Sequence, residues 1–165
     1  MVLSEFNALA AEEAAALLRR CADIPSFAAA LVARRPFADV DELRSSAREL
    51  AGTWSEAEVA AALADHPRIG ERPTGPGATA ALSEREQAGL DQADTGLRRR
   101  LAEGNRRYEE RFGHIYLVRA AGRSGPELLD LLEQRLANDP ATERGVTRSQ
   151  LAEIALLRLE GLVSA

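Results

Sequence analysis

The stretch Leu151-Ala152-Glu153-Ile154-Ala155-Leu156-Leu157-Arg158-Leu159-Glu160-Gly161-Leu162 reads as helix from spacing alone. Leu151, Ile154, Ala155 and Leu162 fall on one face, with Glu153 and Glu160 on the opposite side. An apolar face of that width must pack on other elements, so the stretch calls for a core. Arg158 falls in the middle of this face, directed at the interior, where an unpaired charge is expensive. It needs an anion. A protein carboxylate and a substrate anion suit its planar guanidinium equally well, and a stem packed on the core with its head in water is a third solution.

Helical start signals recur upstream of that stretch. A Ser or Asp followed three residues later by Glu is a capping box or its Asp variant, and four such pairs occur: Asp39/Glu42, Ser55/Glu58, Ser83/Glu86 and Ser124/Glu127. Asp139-Pro140 adds a cap followed by proline at the first helical position. These signals place helices near 11–20, 26–34, 40–51, 56–65, 84–93, 95–112, 126–136 and 140–162. Gly70 to Thr79, containing Gly75-Pro76-Gly77, has no period and reads as a loop. Ile115-Tyr116-Leu117-Val118 is β-rich but has no partner strand, so it is expected to cross the core extended or as irregular helix. The predicted architecture is all-α, one domain over residues 1–165 built as a bundle of about eight short helices.

Composition supports this and narrows the chemistry. The chain has 165 residues, is 45% hydrophobic and only 4% aromatic, so Leu, Ala, Val and Ile on closely approaching helices must form the core. All 21 basic residues are arginine, which removes Schiff-base and lysine-anchored pyridoxal chemistry from the chain's own repertoire. Two histidines and one cysteine draw no standard zinc spacing. Cys21 reads as a structural residue at a helix end, since one cysteine cannot form an internal disulfide. No apolar run approaches the roughly 20 residues that span a bilayer, and no signal-peptide pattern opens the chain, so a cytoplasmic protein without membrane attachment is expected. The net charge of −5 argues against general nucleic-acid affinity. Arg98, Arg99, Arg100, Arg106, Arg107 and Arg111 are interleaved with Glu103, Glu109 and Glu110, as on a solvated helix.

Candidate chemistry gathers at Ala64-Asp65-His66-Pro67-Arg68-Ile69-Gly70-Glu71. Pro67 cannot continue a helix and biases His66 out of helical geometry, so the imidazole projects from a helix end, where it can move protons near neutral pH. A solvated histidine favouring the negative end of a helix dipole is the plainer reading. Ser83-Glu84-Arg85-Glu86-Gln87 has the same double character: a capping box, or a helix N-terminus whose hydroxyl, amide and carboxylate face an oxygen-rich ligand. With His66, Glu86 could orient the ring or share its proton load. His114, after Phe112-Gly113, reads as a helix-terminus histidine.

Taken in order, several motifs resemble one family. They are His66-Pro67-Arg68-Ile69-Gly70, Ser83-x-x-Glu86-Gln87, Asn105-x-x-Tyr108, Arg111-Phe112-Gly113-His114-Ile115-Tyr116-Leu117-Val118, Arg135-Leu136-Ala137-Asn138 and Arg158-Leu159. The family is the 2-oxo-4-hydroxy-4-carboxy-5-ureidoimidazoline (OHCU) decarboxylases of urate catabolism, and the likeness runs from Phe6-Asn7 to Leu162. It implies an all-α fold, often dimeric, and a cofactor-independent carboxy-lyase that takes a small molecule, OHCU, to (S)-allantoin and carbon dioxide. By position it implies His66 as the catalytic histidine and Glu86 as its nearby acid. It further implies that Pro67, Ser83, Gln87, the backbone of Tyr116, Leu117, Val118, Arg119 and Ala120, and Arg158 hold the substrate, with no metal. Gly113-His114-Ile115-Tyr116 departs from the Gly-Phe-Pro-Phe of animal members. Two alternatives stand beside this: a helical interaction module in which these residues only cap and pair, and a hydrolase acting on a related ureide.

Overall fold

A computed structural model describes residues 1–64, 66–71, 82, 86–90 and 94–165. Among these residues the chain forms eight α-helices and no strand, as the all-α reading requires. They are α1 (Leu3–Ala8), α2 (Ala11–Cys21), α3 (Pro25–Ala33), α4 (Val40–Ala51), α5 (Glu56–Ala64), α6 (Thr95–Phe112), α7 (Gly125–Leu136) and α8 (Pro140–Leu162), with a 3₁₀ turn at Ala88–Leu90. An isolated bridge joins Val2 to Ser164.

The caps explain where helices begin. Asp39 accepts from Glu42 N–H at 2.8 Å. Ser55 and Ser124 each exchange bonds with the glutamate three residues on: Glu58 and Glu127 accept from their backbone N–H groups at 2.8 and 2.7 Å. Asp139 takes the N–H groups of Ala141 and Thr142, both at 3.0 Å. Asp94 caps α6 through Leu97 N–H at 2.7 Å without a glutamate at the third position to advertise it. Ser83, in the remaining predicted capping box, lies outside the described residues, as does much of the helix expected over 84–93; within that span Ala88–Leu90 is a tight 3₁₀ turn.

α1 was not anticipated, because six residues behind Val2 carry no side-chain cap and are too few to hold a helix on local preference. Tertiary contacts supply what is missing. Phe6 is fully buried, Asn7 exchanges two bonds with the Phe37 backbone at 2.9 and 3.0 Å, and the Arg35 guanidinium takes the carbonyls of Phe6 and Leu9 at 2.8 and 2.9 Å.

The chain divides into two compact units, Met1–Ala62 with Leu151–Ala165, and Leu63–Gln150. In the first, α2 packs on α3 and α3 on α4, and the Phe27 and Trp54 rings meet edge-on at 5.2 Å between centroids. Its share of α8 buries Leu151, Ile154 and Ala155 of the apolar face expected from spacing, while Leu162 of that face is half-buried and Leu159 is buried beside them. In the second, α6 packs on α7 over a core that also takes in Ile69, Leu90, Tyr116, Val118 and Ala120. Their close approach depends on Gly104: a Cβ there would stand 2.5 Å from Leu132 Cδ2 and 3.2 Å from its Cγ. Gly104→Val should therefore overpack the α6/α7 contact and destabilise the protein by about 1–3 kcal/mol, read as a lower urea midpoint with unchanged slope.

Candidate active site

In the second unit three pieces of chain that carry candidate residues are laid on one core. The first is the exit from α5. His66 N–H donates to Leu63 O at 3.1 Å, after which residues 66–68 leave helical geometry, as Pro67 dictates. His66 and Pro67 are half-buried, and the chain then turns at Ile69 and Gly70. Gly70 has φ +87°, in the left-handed region that a side chain would strain.

Each residue of this turn is tied down. Gly70 N–H donates to Gln87 Oε1 at 2.9 Å, and Gln87 Nε2 donates to Arg68 O at 3.3 Å. Asn105 Nδ2, from α6, donates to Ile69 O at 2.9 Å. Arg68 forms a bidentate pair with Glu109, Nε to Oε1 at 2.5 Å and Nη2 to Oε2 at 2.9 Å. Bonding to Arg68 holds the Glu109 carboxyl below the usual carboxylate range. A depressed carboxylate contributes its stability above its unfolded pKa and loses it as pH falls through its folded value, so the tie is intact at neutral pH and released in acid.

The second piece is the turn carrying Glu86 and Gln87, both half-buried. Gln87, predicted as a substrate residue, spends its amide on the His66 loop and so brings Glu86's segment to that loop. The third is residues 115–120, which cross the core with neither helix nor strand, as the sequence suggested. Tyr116, Leu117, Val118 and Ala120 are buried and Arg119 is half-buried. Tyr116 donates to Leu128 O at 3.1 Å, Arg119 N–H donates to Gln150 Oε1 at 3.0 Å, and Arg135 Nη1 donates to Leu117 O.

That last bond belongs to a buried polar network that spacing did not reveal. Arg135 on α7 pairs with Glu143 on α8 at 2.5 Å, and both are buried. Tyr108 of α6 donates to Glu143, Asn138 Nδ2 donates to its Oε2 at 2.9 Å, and Arg135 Nη2 reaches Thr147 Oγ1 at 3.1 Å. The Arg135 guanidinium also lies 4.9 Å from the Tyr116 ring centroid. Burial and the bond to Glu143 push the Tyr108 hydroxyl up to about 12, which keeps it a donor. A signal did exist. Glu143 and Thr147 stand four apart in register with the Leu151 face, so a polar pair continues an apolar stripe, as Arg158 does further on.

The remaining candidates are placed plainly. Arg158 belongs to the first unit, is 6% exposed and donates from Nη1 to Cys21 O at 3.4 Å, so its predicted inward direction holds. Cys21 closes α2, and burial pushes its thiol up to about 11. His114 follows the left-handed Gly113 at the end of α6 and meets the Tyr108 ring edge-on at 5.5 Å, a helix-end histidine as expected. Arg106 and Arg107 pair with Glu110 and Glu133 at 3.0 and 3.3 Å, consistent with a solvated face. Among the described residues no three His, Cys, Asp or Glu side chains are grouped to hold a metal ion, and no helix is long and apolar enough to cross a membrane.

Comparison with known proteins gives a consistent result. The model of the family described as OHCU decarboxylase matches residues 7–160. The 2-oxo-4-hydroxy-4-carboxy-5-ureidoimidazoline decarboxylase of Amia calva is 32% identical, over 99% of this chain and 95% of its own length. The enzyme of that name from Mus musculus is 31% identical, over 86% and 80% respectively. A crystal structure of OHCU decarboxylase in the presence of (S)-allantoin is similar with a TM-score of 0.74 at 26% identity, covering 86% of this chain and 93% of that one.

The network itself can be tested by stability. Glu143→Leu strands a buried guanidinium and should cost about 3–5 kcal/mol in urea unfolding, whereas Arg135→Met combined with Glu143→Leu removes both charges and should cost less than the single change.

Proposed function

We infer the working of the site from one premise: this chain belongs to the OHCU decarboxylase family, carboxy-lyases that make (S)-allantoin in urate degradation. The observation that carries this is the match over residues 7–160, which includes every residue assigned below.

The substrate supplies its own electron sink. Its carboxylate sits on a carbon that bears a hydroxyl and adjoins a ring C=N bond. When the bond to the carboxylate breaks and CO₂ leaves, the released pair forms a C=C bond to the neighbouring carbon, and the C=N pair moves onto nitrogen, which takes up a proton. The resulting enol then loses its hydroxyl proton to give the carbonyl, and the neighbouring carbon, which bears the ureido group, gains a proton. That carbon is the stereocentre of allantoin.

His66 is assigned to take or steer the hydroxyl proton, with Glu86 holding the imidazole and sharing its proton load. What supports this is a half-buried histidine at a helix exit whose following turn is tied at Arg68, Ile69 and Gly70. Pro67, Ser83, Gln87 and the backbone from Tyr116 through Leu117, Val118 and Arg119 to Ala120 are assigned to substrate binding, and Arg158 to substrate oxygens, on their match to the family's motifs. Ser83 lies outside the described residues, so its assignment rests on sequence alone. A cytoplasmic homodimer completes the reading.

The reaction can be followed by circular dichroism, with OHCU generated freshly from urate by the two preceding reactions. In water the planar enol is protonated on both faces and gives racemic product, so an (S)-allantoin signal reports the protein's contribution. His66→Ala should lose about 10²–10⁴ in rate while its far-ultraviolet spectrum stays that of the parent. A folded His66→Ala with undiminished (S)-allantoin formation would remove His66 from the mechanism.

A further inference from the structure

The turn after His66 is fastened at three consecutive residues, and two of the fasteners stand one helical turn apart on α6. Asn105, 4% exposed, holds Ile69 by its carbonyl at 2.9 Å. Glu109 holds Arg68 by both edges of a bidentate pair at 2.5 and 2.9 Å. Between Arg68 and His66 stands only Pro67, whose ring fixes φ, so a displacement of the clamp has little slack in which to dissipate before it reaches His66.

Packing alone would not choose an amide at position 105. Its Oδ1 is buried with no donor among the described residues, a penalty that an apolar side chain of similar size would remove. The half of the amide that is satisfied is the half that holds Ile69 O. The paired charges on Glu109 and Arg68 add direction to the same grip, because a bidentate fork fixes orientation as well as distance.

We propose that Asn105 and Glu109 are positioning residues for His66: through the Ile69 carbonyl and the Arg68 guanidinium they set where the imidazole stands over the substrate. The inference rests on the assignment of His66 as the acid–base group.

Asn105→Leu is the discriminating variant. It deletes the orphaned Oδ1 while leaving Ile69 O without its donor, so the number of unpaired buried acceptors is unchanged and the melting temperature should fall by no more than about 4 °C. The expected result is a kcat lower by about tenfold or more with KM held within about twofold, since misplacing a catalytic group removes transition-state rather than ground-state binding. Glu109→Ala should show the same split. The chain has two histidines, so the imidazole NMR signals of His66 are identified by their loss in His66→Ala. In both clamp variants those signals should shift or broaden while those of His114 stay in place. Wild-type kcat with unmoved His66 signals would overturn the proposal, and so would a loss of activity that tracks a loss of folded protein with both histidines disturbed together. Failure of the underlying assignment looks different, because His66→Ala would then itself retain full activity.

Discussion

A charged pair taken out of water obliges its surroundings to complete its hydrogen bonds, and the second unit is organised by that obligation. Arg135 and Glu143 are both buried, and each group that satisfies them comes from a different part of the chain: Tyr108 from α6, Thr147 from α8, Asn138 from the α7–α8 junction and the Leu117 carbonyl from the irregular crossing segment. A bare pair of this kind adds little to stability, since desolvation consumes most of the Coulomb gain. What it does supply is register. None of these elements can slide without stranding a buried donor or acceptor, and that is a larger penalty than any single bond contributes.

The consequence for the site is that α6 becomes a two-sided fixture. Tyr108 ties it to the network, while Asn105 and Glu109, three residues before and one after, tie it to the loop behind His66. Residues 101, 104, 105 and 108 form its buried face, with Gly104 letting α7 come close. The crossing segment is held from the opposite end of the same guanidinium, through Leu117 O. Loop and segment, both assigned to the reaction, are thus referenced to one helix and one buried charge, with the more exposed Arg68–Glu109 pair adding to the buried Asn105 tie.

Local chemistry in the sequence announced most of this architecture and little of its polar interior. Capping pairs and apolar spacing placed α2 through α8 to within a residue or two, because those signals act within one helical turn. α1 escaped because its supports, Asn7 to Phe37 and Arg35 to Phe6 and Leu9, lie about thirty residues away and leave no local mark. Arg158 was readable as an inward arginine since an apolar stripe surrounds it. Glu143 and Thr147 carried a fainter mark, since they continue the register of the Leu151 face through a half of α8 that is otherwise polar. Gln87 shows a different limit: its residue type suggested a ligand, and only geometry reveals that its amide also ties Arg68 and Gly70.

The proposed chemistry explains why position would matter more here than unusual acidity. A substrate that carries its own electron sink asks the protein for no covalent partner, which agrees with a chain that contains no lysine. Its remaining demand is facial choice in protonating a planar intermediate. A hundredfold preference for one face corresponds to about 2.7 kcal/mol between two transition states, at about 1.36 kcal/mol per factor of ten. A difference of that size lies within reach of a histidine held against one face by a tied loop, the part proposed for His66. The buried amide of Asn105, half satisfied and half not, fits a fold that accepts a packing penalty in α6 to keep that loop still.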